Sequence, residues 1–230
     1  MGSRPLSAFL DQALREYRDK MTERILRRPL NKPWMKYREI AIIEEVLMAV
    51  RPTRALEWGT GYGTLHFSRL LPSASRWIAV EHDSLWADRI RSMEPPLRVS
   101  IFTVPAENAA WKEAGGDGSY AEFRTYVDFP AQFGDFEFIL VDGRARSACL
   151  RRAHSLLAPG GVVVLHDANR EFLREALDLF PEQAEFLDYR RWSGGLWMGA
   201  KGGALEDVMD LEKHRQLWRW YNSFGKGFRL

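Results

Sequence analysis

Two amphipathic helices open the chain, as the spacing of its hydrophobic and polar positions indicates. Residues 6–27 place apolar side chains three and four positions apart, the period of an α-helix: Leu10, Leu14, Tyr17, Met21 and Ile25. A second helix is predicted over 34–50, and a proline stops each of them, at Arg28-Pro29 and at Arg51-Pro52. These two helices predict an N-terminal cap of residues 1–50.

Beyond Pro52 the pattern changes to short apolar runs that alternate with helical stretches. Five strands are predicted over 54–57, 76–81, 98–104, 136–141 and 161–166, followed by a helix over 170–180. Runs such as Phe138-Ile139-Leu140-Val141 lack polar alternation, which is typical of strands buried on both faces of a parallel sheet. Two further strands, over 184–190 and 196–201, are joined by the turn Ser193-Gly194-Gly195, so the last is antiparallel. Residues 51–203 are therefore predicted to form a doubly wound α/β sheet with helices on both faces.

Two segments do not fit this alternation. Residues 115–133 begin with Gly115-Gly116-Asp117-Gly118 and continue with aromatic residues at helical spacing. They form either an insertion that covers the site or a surface helix that packs its aromatic rings on the sheet. The tail, residues 204–230, mixes aromatic and basic residues: Trp218, Trp220, Tyr221, Phe224, Phe228, Arg215, Arg219, Lys226 and Arg229. We expect the tail to dock on the body of the protein or on the second subunit of a homodimer, whereas stacking on nucleic acid bases is the alternative.

Composition narrows the class of protein. A chain of 230 residues with 46% hydrophobic residues is large enough for one compact unit with a full core. The net charge of +2 implies no bulk attraction to nucleic acid or to a membrane. The single cysteine, Cys149, excludes an intramolecular disulfide and fits a reducing compartment. We therefore expect a cytoplasmic protein with no membrane partner.

A glycine-rich motif follows the first predicted strand, immediately before a helix that begins near Thr64. It reads Glu57-x-Gly59-x-Gly61-x-Gly63. Glycine tolerates positive φ and lets the backbone approach a ligand, while the helix start turns amide groups toward the same place. Glu81 ends the second strand, where a carboxylate can accept hydrogen bonds from both ribose hydroxyls. The segment predicts a pocket for an adenosine-containing cofactor, and a glycine turn beside a solvated acid is the alternative.

The spacing of the glycines separates the candidate cofactors. Thr64 stands where a dinucleotide-binding fingerprint has its last glycine. Glu57 would also repel a pyrophosphate group. Both features favour an adenosine cofactor that lacks a pyrophosphate.

Together with Asp142 after the fourth strand and the final hairpin, this motif resembles the class I S-adenosylmethionine (SAM)-dependent methyltransferases over about residues 34–201. The resemblance implies a Rossmann-like seven-stranded methyltransferase sheet whose last strand is antiparallel, with two extra N-terminal helices. It implies that the glycine loop holds the methionine part of SAM, that Glu81 binds the ribose and that Ala106 and Glu107 border the adenine. The implied cofactor-binding residues are Glu57, Gly59, Thr60, Gly61, Tyr62, Gly63, Glu81, His82, Ala106, Glu107 and Asp142. Segments 141–146 and 165–170 also resemble bacterial relatives of the glucuronoxylan 4-O-methyltransferases.

Candidate catalytic residues follow the fourth and fifth strands, because the carboxyl ends of parallel strands meet at one edge of the sheet. Asp142, His166 and Asp167 are the candidate bases for an acceptor hydroxyl, and His166 is also a candidate for a structural role. In the metal-dependent O-methyltransferases, Asp, Asp and Asn occupy places comparable to Asp142, Asp167 and Asn169, which implies a Mg²⁺ site. This chain departs from that family because Ala168 separates Asp167 from Asn169.

Three arginines at the same strand ends, Arg144, Arg146 and Arg170, predict an anionic acceptor such as a carboxylated sugar or a phosphorylated metabolite. Alternatively, they pair with Asp142, Asp167 or Glu171 and only hold the loops. A lid over the site is predicted at Trp34, Met35 and Tyr37. The leading prediction is O-methylation of a small-molecule or saccharide acceptor. N-methylation, RNA methylation and a non-catalytic cofactor-binding or interaction module are the alternatives.

Overall fold

The computed structural model describes residues 5–28, 30–113, 116–170, 174–188 and 194–225. The predictions for Gly115, Glu171, Arg190, Ser193, Lys226, Phe228 and Arg229 lie outside the described residues. The helices are α1 (Pro5–Leu26), α2 (Tyr37–Val50), α3 (Tyr62–Phe67), α4 (Ser84–Arg91), α5 (Ala110–Glu113), α6 (Arg124–Asp128), α7 (Arg146–Leu156), α8 (Arg174–Leu177) and α9 (Leu211–Gly225). The strands are β1 (Arg54–Trp58), β2 (Arg76–Glu81), β3 (Val99–Thr103), β4 (Phe136–Val141), β5 (Leu157–His166), β6 (Glu182–Phe186) and β7 (Leu196–Ala200).

These strands form one seven-stranded sheet in the order β3-β2-β1-β4-β5-β7-β6. Strands β1 to β5 pair in parallel, whereas β7 runs antiparallel to both β5 and β6. The predicted seven-stranded α/β sheet with an antiparallel last strand is therefore confirmed. The strand order reverses between β1 and β4, where Trp58 pairs with Val141. In such sheets, ligands bind outside the carboxyl ends of the strands at this reversal.

Helices cover both faces of the sheet, as the sequence predicts. Successive residues of β4 point to opposite faces, so Phe138 lies in one core with Ile42 and Ile43 of α2. Ile139 lies in the other core with Leu150 of α7. All of these side chains are fully buried. This two-sided burial explains why the strand sequences lack polar alternation.

The N-terminal cap differs in detail from the prediction. Helix α2 begins at Tyr37 rather than at residue 34, because Glu39 accepts a hydrogen bond from the backbone N–H of Lys36 at 2.7 Å and caps the helix there. Helix α1 has its predicted length. It packs on α9 through the Phe9 ring, which lies 4.7 Å from that of Tyr221, and on the segment around α2 through polar groups. Buried Asp19 accepts hydrogen bonds from Lys32 Nζ at 2.8 Å and from the Tyr37 hydroxyl at 2.7 Å. None of the helices in the described ranges is long and apolar enough to cross a membrane.

The described parts of the two segments that do not fit the sheet pattern, residues 116–133 and 204–225, pack on the body of the protein. Within residues 116–133, Phe123 and Tyr126 are fully buried in the core on the α7 side of the sheet, as the packing alternative predicts. In the tail, Trp218 Nε1 donates a hydrogen bond to the Leu187 carbonyl at 2.8 Å. Its ring lies 5.4 Å from that of Phe186. The described part of the tail therefore docks within the same chain.

Candidate active site

A cavity of about 440 Å³ lies at the carboxyl edge of the sheet, beside the reversal of strand order. It is bounded by the loops after β1, β2, β4 and β5 and by Pro33, Trp34 and Met35 before α2. Its size is that of a small-molecule or cofactor site. Most of the predicted residues line it: Glu57, Gly59, Thr60, Gly61, Tyr62, Gly63, Glu81, His82, Asp142, Arg144, Arg146, His166, Asp167 and Arg170. Ala106, Glu107, Asn169 and Tyr37 are not among the lining residues.

Two glycines at the base of the cavity are required by backbone packing. Gly59 has φ +93°, and a Cβ atom there would lie 2.7 Å from the Gly143 Cα. A Cβ atom on Gly143 would in turn overlap the hydroxyl of Tyr126. The loops after β1 and β4 therefore meet backbone to backbone, and only glycine permits this contact. The sequence analysis did not assign Gly143 a role, because a single glycine after a strand is a common turn signal.

Gly61 differs from these two glycines. Its backbone is extended, with φ −179°, which any residue adopts. The nearest heavy atom to a Cβ added there is the backbone nitrogen of Gly63, 4.0 Å away. Neither conformation nor protein packing therefore requires glycine at this position, although it lines the cavity.

Glu57 lies buried beneath the glycine loop. Its Oε2 accepts a hydrogen bond from Trp77 Nε1 at 2.8 Å. Burial, and then the negative charges of Asp142 and Glu81, raise the pKa of Glu57 to about 8, despite the stabilising hydrogen bonds. The carboxyl group is therefore mostly protonated at neutral pH.

Glu81, at the end of β2, is ionised in the same cavity. Its Oε2 accepts from the Thr60 N–H at 2.8 Å, and its Oε1 accepts from the N–H groups of His82 and Asp83 at 2.8 and 2.9 Å. Burial opposes ionisation, but the hydrogen bonds from His82, Asp83 and Thr60 outweigh it and lower the pKa of Glu81. This carboxylate thus links the β1 and β2 loops.

His166 lies between two acidic side chains. Its Nδ1 is 2.8 Å from Asp142 Oδ1, and its Nε2 is 3.6 Å from Glu39 Oε2. Burial alone would lower the pKa of His166, but Asp142 and Glu39 together raise it well above the usual value. The ring is therefore an imidazolium at neutral pH, which donates protons rather than accepting them. This charge state opposes the prediction of His166 as a general base.

Glu39 is a site residue that sequence reasoning missed. Its carboxylate also accepts from the Gly195 N–H at 2.9 Å, so it joins α2 to the loop before β7. Burial opposes its ionisation, but His166 and Lys36 outweigh burial and lower the pKa of Glu39 to about 2. A glutamate near a helix start is a signal for a cap and for nothing further. Nothing in the sequence connected it with His166, which is more than 100 positions away.

Asp117, also missed, neutralises two of the three predicted arginines. Arg146 Nη1 lies 2.5 Å from Asp117 Oδ1, and Arg170 Nη1 lies 3.3 Å from the same oxygen. Arg170 Nη2 also lies 2.7 Å from Asp167 Oδ2. Arg146 is 5% exposed, so this pair is buried. The alternative in which arginines hold the loops thus describes Arg146 and Arg170, although Asp117 is the main partner.

Arg144 has a different environment. Its guanidinium carbon lies 4.9 Å from the centre of the Trp111 ring, a cation–π contact. It lines the cavity and, among the residues that the structure describes, makes no ion pair. Arg144 is therefore the cavity arginine whose charge remains available to a ligand.

The predicted Mg²⁺ site is not supported by the arrangement of its ligands. The Asn169 side chain hydrogen-bonds the backbone of Asp188, accepting from its N–H and donating to its carbonyl, both at 3.0 Å. Asp167 binds Arg170 and the Gly194 N–H. In the described part of the chain, no group of three or more His, Cys, Asp or Glu side chains is placed to hold a metal ion.

The adenine-side residues also differ from the prediction. Glu107 is exposed, and its carboxylate accepts hydrogen bonds from the N–H and hydroxyl of Thr125 at 2.9 and 2.5 Å. At the cavity mouth, the Trp34 ring instead lies 5.2 Å from that of Trp86 and 6.0 Å from that of Tyr62. Trp86, which sequence reasoning missed, donates from Nε1 to the Thr60 carbonyl at 2.6 Å. Of the predicted lid, Trp34 and Met35 line the cavity, whereas Tyr37 faces α1.

A second cavity of about 260 Å³ shares one wall with the first. His166, Asp167 and the segment 33–35 line both of them. Gly194, Glu39, Lys32 and Lys36 complete the smaller one on the side of α2. The Asp142–His166 pair thus lies close to the boundary between two ligand-sized spaces.

Comparison with known proteins identifies the fold. No protein-family model and no curated protein sequence matches the chain. Among solved structures, an O-methyltransferase from Bacillus cereus in complex with S-adenosylhomocysteine (SAH) is 17% identical, with a TM-score of 0.55 over 87% of this chain and 92% of that one. The O-methyltransferase TomG from Streptomyces achromogenes, in complex with SAM and involved in tomaymycin synthesis, is 16% identical, with a TM-score of 0.52 over 88% and 92%.

A third solved structure of similar fold is named as an enzyme other than a methyltransferase. Spermidine synthase from Thermotoga maritima is 15% identical, with a TM-score of 0.51 over 83% of this chain and 72% of that one. At these identities the likeness shows the fold alone. The chain has the Rossmann-like fold of the class I methyltransferases, and the reaction must be argued from the site.

Proposed function

We propose that this protein is a SAM-dependent methyltransferase that methylates an oxygen of a small-molecule or saccharide acceptor. The observation that carries the proposal is a cofactor-sized cavity whose glycine-loop end is lined by carboxyl groups, at Glu57, Glu81 and Asp83. SAM carries an ammonium and a sulfonium cation. The ionised Glu81 attracts these cations, and they favour ionisation of Glu57, which is mostly protonated before the cofactor binds. The pyrophosphate of a dinucleotide would instead be repelled.

Gly61 supports the fit of such a cofactor. Since neither its φ nor a neighbouring protein atom requires glycine, the space that a side chain would fill is best explained by a ligand lying against the loop. In this proposal Glu57 and the backbone of residues 59–63 hold the methionine part. Glu81 accepts hydrogen bonds from the ribose hydroxyls, as carboxylates at the end of the second strand do in related folds. Ala106 and Glu107 stay predictions for the adenine, and Trp86 is the added candidate.

Bound SAM supplies an electrophilic methyl group, so the protein must chiefly align an acceptor oxygen and accept its proton. Asp142 suits that task because it lines the cavity and its side chain is 30% exposed. The His166 imidazolium orients Asp142 through the 2.8 Å contact between its Nδ1 and Asp142 Oδ1. Asp167 is bound to Arg170, which makes it a weaker candidate base.

The acceptor is proposed to lie in the part of the larger cavity that Asp142 and Arg144 line. Arg144 would bind an anionic group of the acceptor, such as a carboxylate or a phosphate. We expect Arg144→Ala to raise the KM for anionic acceptors about tenfold, as the loss of one charged hydrogen bond implies. Neutral acceptors should be unaffected. Lys112→Ala is the matched control, because Lys112 makes a cation–π contact with the same Trp111 ring but does not line the cavity.

Calorimetry with SAM tests the proposal directly, with two glycine variants. Gly61→Ala should fold with wild-type stability but bind SAM at least tenfold more weakly, because its methyl group occupies the ligand's space. Gly116→Ala is the control, since a Cβ there also meets no atom closer than 3.9 Å and Gly116 lies outside the cavity. Failure of the wild-type chain to bind SAM would end the proposal. Wild-type affinity in Gly61→Ala would show that SAM does not lie against this loop.

Three alternatives make different predictions. A non-catalytic cofactor-binding module would bind SAM and give no methylated product with any acceptor panel. An RNA methyltransferase would require the tail to be accessible, but Trp218 and Tyr221 are engaged within the chain, where the guanidinium of Arg38 lies over both rings at 4.8 and 4.3 Å. N-methylation and O-methylation are distinguished by whether amine or hydroxyl acceptors are methylated.

A further inference from the structure

Helix α1 is turned with its polar face toward the protein. Asp19 is 6% exposed, and Glu16, Glu23 and Gln12 are partly covered. Glu23 accepts a hydrogen bond from the Leu30 N–H at 3.2 Å, and Gln12 accepts one from the Tyr221 hydroxyl at 3.4 Å. These contacts fix the rotation of the helix about its axis.

Phe9 packs against Tyr221 of α9, whereas the apolar face formed by the residues that follow Phe9 points away from the protein. Five apolar side chains spaced three or four residues apart have exposed fractions of 57, 67, 60, 39 and 74%: Leu10, Leu14, Tyr17, Met21 and Ile25. We call them the α1 stripe. It is about 22 Å long at 1.5 Å per residue. A contiguous exposed apolar stripe of this kind marks an interaction surface.

The charged residues of α1 are also divided between its two sides, with most acidic residues covered and the basic residues exposed. Three of its four acidic residues, Glu16, Asp19 and Glu23, lie on the covered side. The fourth, Asp11, is exposed and pairs with Arg15 at 3.0 Å. Basic residues of α1 and the residues that follow it are exposed around the stripe: Arg15, Arg18, Lys20, Arg24, Arg27 and Arg28. The exposed side of the helix is therefore apolar and cationic, although the net charge of the whole chain is only +2.

We propose that α1 docks on the surface of an anionic lipid bilayer, with the α1 stripe inserted among the acyl chains and the flanking basic residues on the headgroups. An apolar stripe bordered by lysine and arginine is the pattern of helices that lie in the membrane interface. A second copy of the chain fits less well, because pairing two such helices would bring their basic borders together. The proposal differs from the sequence prediction of no membrane partner. It concerns surface binding and is independent of the proposed methyltransferase activity.

The test is co-sedimentation of the full chain with vesicles of phosphatidylcholine alone or of phosphatidylcholine mixed with phosphatidylglycerol. We expect binding to the mixed vesicles, weakened by added salt, and little binding to phosphatidylcholine. The double variant Leu14→Gln/Met21→Gln should reduce binding at least tenfold. The double variant Arg18→Glu/Arg24→Glu should do the same. Because all four side chains are exposed, melting temperatures should remain near that of the wild type.

Matched controls change exposed residues outside α1. Leu85→Gln/Leu97→Gln and Arg69→Glu/Arg76→Glu replace exposed side chains of the same types and should leave vesicle binding unchanged. The proposal is overturned if the wild-type chain ignores anionic vesicles, or if the stripe variant binds them as well as the wild type does. It is equally overturned if light scattering shows self-association that the stripe variant abolishes while no vesicle binding occurs, because a second copy would then cover the stripe.

Discussion

The replacement Glu57→Gln tests whether the buried acid beneath the glycine loop is protonated in the folded protein. Glutamine keeps the size of the side chain, and its carbonyl can accept the hydrogen bond from Trp77 Nε1. It cannot ionise. The variant therefore removes the pH dependence that Glu57 contributes and leaves the packing in place.

The expected magnitude follows from the two pKa values of Glu57. The unfolded chain releases this proton near pH 4.5, whereas the folded protein retains it until about pH 8. Between these values the folded state binds more protons, so Glu57 makes the folding free energy less favourable as the pH rises. At about 1.4 kcal/mol for each pH unit, the full cost above pH 8 amounts to roughly 5 kcal/mol.

Urea unfolding of the wild type and of Glu57→Gln at several pH values measures this cost. The two free energies of unfolding should be similar near pH 5. The variant should become the more stable protein above pH 6, and the difference should level off above pH 8. Glu185→Gln, which changes an exposed side chain, should follow the wild type throughout. Parallel curves for the wild type and Glu57→Gln from pH 5 to pH 9 would refute the reasoning.

Further predictions concern the same site. SAM binding near pH 7 should release about one proton, because a bound cation lowers the pKa of Glu57. Calorimetry in buffers of different ionisation enthalpy measures this release, and Glu57→Gln should abolish it. Glu39→Gln should lower the pKa of His166. NMR of the imidazole ring measures this pKa, and His166→Asn assigns the signal. An unchanged titration would contradict the pairing of Glu39 with His166. Asp117→Asn should cost about 3–5 kcal/mol in urea unfolding, because it leaves the buried Arg146 without its main partner. A cost below about 1 kcal/mol would show that Arg146 does not depend on Asp117.

The features that sequence reasoning predicted well are those fixed by local pattern. The strand β4 is buried on both faces, so nearly all of its residues are apolar and the run can be recognised in the sequence. Likewise, Glu57, Glu81 and Asp142 were found because each directly follows or ends a parallel strand, and parallel strands end at one edge. Topology alone brings these side chains together.

The features that were missed depend on packing between distant segments. Glu39 reaches His166 only because the N-terminal end of α2 lies beside the carboxyl end of β5. Asp117 reaches Arg146 only because its segment packs beside the start of α7. The rotation of α1 is a similar case. Periodicity gives the helix and its apolar stripe, but the contacts of Asp19 decide which face is covered.

The buried ion pairs show how the acceptor side of the site is organised. Removing charges from water costs free energy that pairing only partly restores, so such pairs are weak sources of stability. Here they nevertheless connect separate loops: Asp117 holds the loops after β4 and β5 through Arg146 and Arg170, and Glu39 joins α2 to His166. Apolar packing could hold these loops at lower cost, but it could not keep Asp142 beside a fixed positive charge. The arrangement is what a site needs if the Asp142 carboxylate must stay oriented while Arg144 remains available to an anionic ligand.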